Sequence, residues 1–509
     1  MSGADGGQSS SGPFRLDQPG DLSRLRPALE NAGYTEAAIG NVVLLDREGT
    51  PLDVVALRRR VGSAASPFHT LVQLFILGTA AAEEAAREAL APAEINDLEA
   101  VGLLERCAEG LRARAALMPS GELLFAREFW PEFTRRPTSR DYVLGEGAAT
   151  RITAYLTVRR QGELALDMGT GTGYQALMAA RHAGRVIATD INGRALSFAA
   201  FNARLNGFPG IEFRQGSLFE PVAQERFDLI VTNPPFVLSP KAEYEYRDSG
   251  LPGDTLVEQV VRQAPGMLRE GGYCTVLMNW HHRTEEDWAE RPAGWLASSG
   301  CDAWLVGFQD YDRIGYAVTW LFPECRRDPE RYAEAMDHWL ANLEHLGAGR
   351  VSYGAVVLRR RSGGRNWFRA DVSPSGVPTQ PAGAQIERIF AAQDVLESLD
   401  SEERLLGLRL VLTPEHEMAH FLAAQGGQWV VKGARIKQTE GFPCEGNVDR
   451  MVGALLAGCD GQRTLAELVA NLAGALGLDP APIRLPCCRL MRTLLRWGFL
   501  TVAPHESRG

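Results

Sequence analysis

The sequence predicts an α/β protein whose centre is a doubly wound, parallel sheet and whose two ends are smaller helical, winged-helix-like domains. Three observations lead there. From Thr150 to Trp280, short apolar, β-branched runs alternate with amphipathic stretches at helical spacing, the rhythm of strand–helix–strand units. Two of these runs, in LALDMGTGTG (164–173) and LIVTNPPF (229–236), end in glycine or proline, as expected where parallel strands release the chain at a sheet's carboxyl edge. At 509 residues the chain is too long for one core, so further folded units are expected on either side.

Residues 1–14 are Gly/Ser-rich and are expected to be unstructured. A helical domain over 15–135 follows. LSRLRPALENAGY and ALRRRV place apolar residues three and four apart, and FHTLVQLFILG reads as a buried helix. AAEEAAREAL, PAEINDLEAVGLLER and LRARAALMPSGELLFARE then read as helix, helix and two strands around Pro119-Ser120-Gly121, the order of a winged helix. Its second helix carries more acid than base, which argues against duplex DNA. A connector with Arg135, Arg136 and Arg140 leads into the central domain, 136–370.

There ITAYLTVRR is a helix, ELALDMG a strand, YQALMAARH a helix, RVIATD a strand and ALSFAAFNARLNG a helix. IEFRQGS and FDLIVTN follow as strands, TLVEQVVRQAPGMLREGG as a helix and YCTVLMNW as a strand. After DAWLVGFQ the rhythm breaks: YAVTWLF and PERYAEAMDHWLANLEHLG form a helical insertion before a last strand, VSYGAVVLRR. A Pro/Gly/Ser-rich linker covers 371–385, and a C-terminal α+β domain covers 386–509. In it IERIFAAQDVLESL is a helix, LRLVLT and QWVVKGARIKQ are strands, and the helices from VDRMVGALLAG through LMRTLLRWGFLTVA form a second winged helix.

The net charge of −10 disfavours sequence-independent binding of duplex nucleic acid, which depends on many Lys and Arg contacts to phosphate. Only three of the 53 basic residues are lysine (Lys241, Lys432, Lys437), a skew that points to a GC-rich bacterial genome. The amino terminus has no basic and apolar leader, and no run reaches about 18 apolar residues, so neither secretion nor membrane insertion is expected. Eight cysteines without a CxxC are too sparse for a disulfide framework and suit reduced thiols in a cytoplasm.

In DMGTGTG, Gly169, Gly171 and Gly173 let the chain turn sharply after its strand and bring backbone N–H groups close to a ligand. The next strand ends in Asp190, 17 residues beyond Gly173, where a carboxylate can accept both hydroxyls of a ribose. The pattern acid-x-Gly-x-Gly-x-Gly suits S-adenosylmethionine better than a dinucleotide. Thr170 in the loop and Ile191 after Asp190 join the expected cofactor contacts, and QGSLFE would border the adenine through Ser217, Leu218 and Phe219.

NPPF is the second element. Two prolines fix φ and remove two donors, so the carbonyls point outward in a rigid frame, and Asn233 adds a side-chain acceptor. Hydrogen bonds from an amide or aryl-amine N–H to the Asn233 side-chain oxygen and the Pro234 carbonyl would align the nitrogen lone pair for methyl transfer, with Pro235 stiffening the turn and Phe236 stacking on the planar target. The acceptor site is therefore expected at Asn233, Pro234, Pro235 and Phe236, with Asn233 also touching the cofactor.

DMGTGTG, ATD, QGSLFE and FDLIVTNPPF, in that order over about a hundred residues, resemble the class I S-adenosylmethionine-dependent methyltransferases of the small-domain group, whose sheet is Rossmann-like. That group includes release-factor N5-glutamine and ribosomal-RNA guanine-N2 methyltransferases, and YRDSGLPGDTL also resembles the former. The resemblance implies cofactor contacts at Asp167, Gly169, Gly171, Gly173, Asp190 and Ser217, a target-amine site at Asn233 to Phe236, and a protein or RNA substrate. NPPF in place of NPPY and the winged-helix-like flank depart from the release-factor enzymes.

Two other readings compete: a small-molecule methyltransferase of secondary metabolism, and a cofactor-sensing winged-helix DNA-binding regulator. No metal is expected. His416-Glu417-Met418-Ala419-His420 matches HExxH, which on a helix puts two imidazoles on one face, but it directly follows LRLVLTP and has only His505 as a later histidine. His281 and His282 follow VLMNW and are read as solvated loop residues. The oligomeric state is not legible.

Overall fold

The computed structural model describes residues 12–43, 53–63, 66–134, 138–325, 328–363 and 365–503. The chain divides into two compact units. The first runs to Ala370 apart from Ala154–Arg159 and Val306–Phe308, and the second comprises those two segments with Asp371 onward.

In the first unit, helices Leu25–Asn31, Glu36–Val42 and Val54–Ser63 precede a winged helix made of α1 (Pro67–Phe75), α2 (Glu83–Leu90), α3 (Ile95–Ala100) and the hairpin β1 (Leu104–Cys107) and β2 (Gly110–Ala113). Ser66 caps α1 with Pro67 at its first position, and Leu71, Val72, Leu74 and Phe75 are buried. Ala81 bridges to Leu111 as a third strand position, so the wing is β1–β2. The strands expected around Pro119–Gly121 exist as a separate hairpin, β3 (Ala116–Ser120) and β4 (Leu123–Arg127). At the other end of this domain Phe14 is buried, stacked on Phe201 at 3.9 Å and edge-on to Phe198 at 5.1 Å, so order begins before the end of the expected unstructured stretch 1–14. Residues 1–11 of that stretch, with Arg135, Arg136 and His505, lie outside the described residues.

The central domain follows as α4 (Ala148–Leu156), β5 (Gly162–Met168), α5 (Tyr174–Ala179), β6 (Ala183–Asp190), α6 (Gly193–Leu205), β7 (Ile211–Gln215), β8 (Phe227–Thr232), α7 (Thr255–Met267) and β9 (Leu268–His282). β10 (Cys301–Asp312), the insertion α8 (Arg313–Cys325) and α9 (Pro329–His345), β11 (Arg350–Arg360) and β12 (Phe368–Val372) complete it. Strand order is β12-β10-β11-β9-β8-β5-β6-β7. The run β9-β8-β5-β6-β7 is parallel, as predicted, but β11 pairs with β9 antiparallel, so the sheet is mixed. Central strands are buried on both faces, which is why they read as continuous apolar runs.

The second unit holds α10 (Gly383–Ser398), β13 (Arg409–Leu412), β14 (His416–Gln425), β15 (Gln428–Gln438), β16 (Glu445–Val448), α11 (Arg450–Ala457), β17 (Asp460–Thr464), α12 (Leu465–Leu476), α13 (Ala481–Arg496) and β18 (Leu500–Val502). Thr464 and Glu467 form a capping box at the start of α12. The HExxH match lies in β14, a strand, where residues four apart stand about 13 Å from one another, so the two imidazoles cannot share a helical face. Among the described residues no cluster of metal-ligating side chains is found and no helix is long and apolar enough to cross a membrane, and Cys107, Cys274, Cys301, Cys444, Cys459, Cys487 and Cys488 are free thiols.

Candidate active site

Register puts the two motifs side by side. β5 and β8 are parallel neighbours with Met168 opposite Thr232, so Gly169 and Asn233 leave the sheet together, tied by a hydrogen bond from Thr232 Oγ1 to Met168 O at 2.8 Å. β6 lies on the other side of β5, so this is the point where strand order reverses, the usual ligand crevice of an open α/β sheet.

A cleft of about 450 Å³ opens there. Asp167, Gly169, Thr170, Gly171, Asp190, Ile191, Ser217, Leu218, Asn233, Pro234 and Pro235 all line it. Gly169 (φ 72°) and Gly171 (φ 56°) are left-handed, and a Cβ on either would meet no protein atom within 4 Å. Gly173 does not line the cleft: its φ of 86° and the 3.1 Å between an added Cβ and the Ala199 Cβ show a glycine required for packing on α6. Leu218 also adopts positive φ (49°), a conformation a leucine keeps only where its surroundings enforce it.

The two acids shape the loop. Asp167 Oδ2 accepts from Thr170 Oγ1 (2.7 Å) and Ala176 N (2.9 Å), and burial pushes its carboxyl up to about 7. Asp190 accepts from Gly171 N through Oδ2 and from Asn192 N through Oδ1, each at 2.9 Å, and burial raises its pKa as well. One N–H on each Asp190 oxygen leaves acceptor capacity for a pair of ribose hydroxyls.

On the acceptor side, Asn233 Oδ1 is buried and receives no hydrogen bond. The chain leaving NPPF is gripped at Leu238: its N–H donates to the Tyr316 hydroxyl (3.1 Å) and its carbonyl accepts from Asn342 Nδ2 (3.3 Å), one residue from each helix of the insertion. The next loop wraps around buried Asp248, which accepts from Ser239 Oγ (2.8 Å), Glu243 N (2.9 Å), Tyr244 N (3.1 Å) and Arg247 Nε (2.7 Å). This brings Tyr246 to the cleft, between Tyr244 (5.6 Å) and Tyr142 (6.0 Å).

Phe236 departs from expectation. It is buried with its ring 6.0 Å from Tyr353 and does not line the cleft, because the clamp on Leu238 turns it into the core; the aromatic surface of the cleft comes from Tyr142 and Tyr246. Tyr246 and Asp248 lie in YRDSG, but only the folded loop shows that one faces the cleft and the other holds the turn. Arg140 lines the mouth and pairs with Glu245 at 3.6 Å. His281 and His282 are not solvated: His281 Nδ1 sits 3.0 Å from Asp254, and His282 is buried with Ser352 and Asp310 each 3.2 Å from its Nε2, so both brace the end of β9.

The sheet, the glycine loop and the NPP turn define the class I S-adenosylmethionine-dependent methyltransferase fold. Residues 148–290 match the family model described as methyltransferase small domain, and the central domain belongs to that group. Two models described only as domains of unknown function match residues 52–114 and 387–502. The release factor glutamine methyltransferase of Xylella fastidiosa is 32% identical over 185 residues, 33% of this chain and 66% of that enzyme. The ribosomal protein uL3 glutamine methyltransferase of Bradyrhizobium diazoefficiens is 34% identical over 148 residues, 26% of this chain and 46% of that one. The aligned stretch thus spans just under two thirds of the first relative and under half of the second. The ribosomal protein L11 methylase structure from Lactobacillus delbrueckii subsp. bulgaricus overlaps 42% of this chain and 77% of that one, at 18% identity and a TM-score of 0.24, too slight a likeness to bear on the site. The open glycine cradle, the Asp190 carboxylate and the orphan acceptor on Asn233 fit S-adenosylmethionine as the domain's cofactor.

Proposed function

We propose that the protein is an S-adenosylmethionine-dependent N-methyltransferase acting on a planar amide nitrogen of a macromolecule, with the side chain of a protein glutamine as the acceptor. Asp167, Gly169, Thr170, Gly171, Asp190, Ile191, Ser217 and Leu218 hold the cofactor, which when bound supplies an electrophilic methyl group. Asn233 Oδ1 and the Pro234 carbonyl accept the two N–H bonds of the acceptor amide, orienting its nitrogen lone pair, and Pro235 keeps the turn rigid. Tyr246 and Tyr142 cover the planar group.

The observation that carries this reading is the buried Asn233 Oδ1 without a hydrogen bond, on a residue that lines the cleft beside a left-handed glycine loop, since a buried acceptor is normally satisfied. Both relatives named above are glutamine methyltransferases, which favours a protein amide over a nucleobase. The winged helix supports the same choice: Arg106 is paired with Glu83 and Glu99, and Arg112 with Glu105, so its basic side chains are neutralised internally and a DNA-binding regulator is disfavoured. Free thiols accord with a cytoplasmic location.

The test is transfer of labelled methyl from S-adenosylmethionine to purified release factor and ribosomal proteins, with peptide mass spectrometry to locate the added methyl. Label on a glutamine side chain supports the proposal. Label only in RNA, or only in a metabolite, overturns the choice of acceptor.

A further inference from the structure

β3 and β4 form a two-stranded ribbon, which leaves one edge of β4 with unpaired backbone groups at alternate residues, Leu124 and Ala126. Helix α6 and its C-cap residue satisfy that edge with two asparagines one turn apart, Asn202 and Asn206. Asn202 accepts from Ala126 N at 2.7 Å and donates to Ala126 O at 2.9 Å. Asn206 accepts from Leu124 N at 2.9 Å and donates to Leu124 O at 2.7 Å. A carboxamide carries one acceptor and two donors, so it can replace a peptide unit. The spacing also matches: residues four apart on a helix rise about 6 Å, and residues two apart on a strand about 6.7 Å. The two side chains therefore act as a third strand and dock the N-terminal domain on the central one.

The pair differs in its spare N–H. Asn206 turns it back to Asn202 O in the helix it caps, at 2.8 Å. Asn202, fully buried, sends it to Thr172 O at 2.9 Å, inside the glycine loop. A second contact flanks the loop: Phe125 of β4 stacks at 5.1 Å on Tyr174, a cleft residue directly after Gly173.

On the reading that the cleft holds S-adenosylmethionine, we infer that Asn202 is a positioning residue for the cofactor loop and that the β3–β4 ribbon of the N-terminal domain is a structural part of the cofactor site. The Thr172 carbonyl sits between Gly171, whose N–H holds Asp190, and Gly173, so its hydrogen bond fixes which way the intervening peptides face. Loss of that bond frees the loop without altering any residue that lines the cleft, since Asn202 is not among them.

Binding of S-adenosylhomocysteine to the full chain, by calorimetry, tests this without an acceptor. Asn202→Ala and Asn206→Ala both break half of the ladder and lower the Tm, but only Asn202→Ala weakens binding, by roughly tenfold, while Asn206→Ala stays within about twofold. Asn202→Asp, which can accept from Ala126 N but cannot donate to Thr172 O, binds as weakly as Asn202→Ala. Equal loss in the two alanine variants, or no loss in Asn202→Ala, overturns the positioning role. Should Asn202→Ala not fold, hydrogen exchange of the wild-type protein decides: the ligand protects residues 116–127 in β3–β4, and no change there refutes the coupling. Wild-type protein that does not bind S-adenosylhomocysteine overturns the cofactor reading, and the role of Asn202 with it.

Discussion

Replacing Asn233 with alanine separates chemistry from folding in this protein. Its Oδ1 receives no hydrogen bond, so truncation breaks no internal bond through that atom, and the stability of the protein should change by no more than about 0.5 kcal/mol. On the proposed reading, the acceptor that is lost is the one that holds the amide N–H as its nitrogen attacks. Removing one pre-aligned hydrogen-bonding group from such a site costs about 10²–10³-fold in kcat, roughly 3–4 kcal/mol of barrier. Affinity for S-adenosylhomocysteine should stay within about threefold, because the Asp190 and glycine-loop contacts are intact. The assay is single-turnover transfer of labelled methyl to a glutamine-containing acceptor protein, read beside a urea unfolding curve and a binding isotherm. A kcat within threefold of wild type would refute the role given to Asn233, and so would a parallel fall in stability and cofactor affinity.

Burial holds the Asp167 carboxyl near pH 7 when folded, against about 4 when unfolded, so between those values the folded chain keeps a proton that the unfolded chain has lost. Stability from this group is therefore highest below about pH 4 and declines as pH rises to about 7, by an order of 2–4 kcal/mol; Asp167→Asn should flatten that part of the urea-midpoint profile. Asp248→Ala should cost about 2–4 kcal/mol and raise the acceptor KM more than the cofactor KM, measured by unfolding and steady-state kinetics, because four donors around the loop lose their partner. Tyr316→Phe strands Leu238 N–H and Asn279 Nδ2 and should lower stability by about 1–3 kcal/mol with a larger fall in kcat than in cofactor affinity. Chelators should leave activity unchanged, and His416→Ala with His420→Ala should match wild type, since the HExxH match lies along a strand.

The sequence by itself determined the centre of this protein. Strong period and composition marked every strand from β5 to β9, the glycine loop with Asp190 pointed to a methyl-donor site and the NPP turn to a planar acceptor nitrogen, because such chemistry needs glycine, acid and proline where neighbouring strands end at one sheet edge. What it could not supply was contact between distant segments. The wing is β1–β2 and not the pair around Pro119–Gly121, because β1 and β2 are four-residue strands that carry charge and signal weakly, whereas β3 and β4 are apolar. β14 went unseen because its exposed residues alternate too weakly to mark a strand. Phe236 was aimed at the ligand on local geometry alone, whereas Tyr316 and Asn342, about 80 and 105 residues away, grip the next turn and send that ring into the core. The antiparallel course of β11, the Asp248 knot that delivers Tyr246, and the asparagine ladder that ties the N-terminal domain to the cofactor loop were likewise decided only by tertiary structure. Each depends on hydrogen bonds between residues that no local pattern links, and a buried polar group takes whichever partner the fold brings to it.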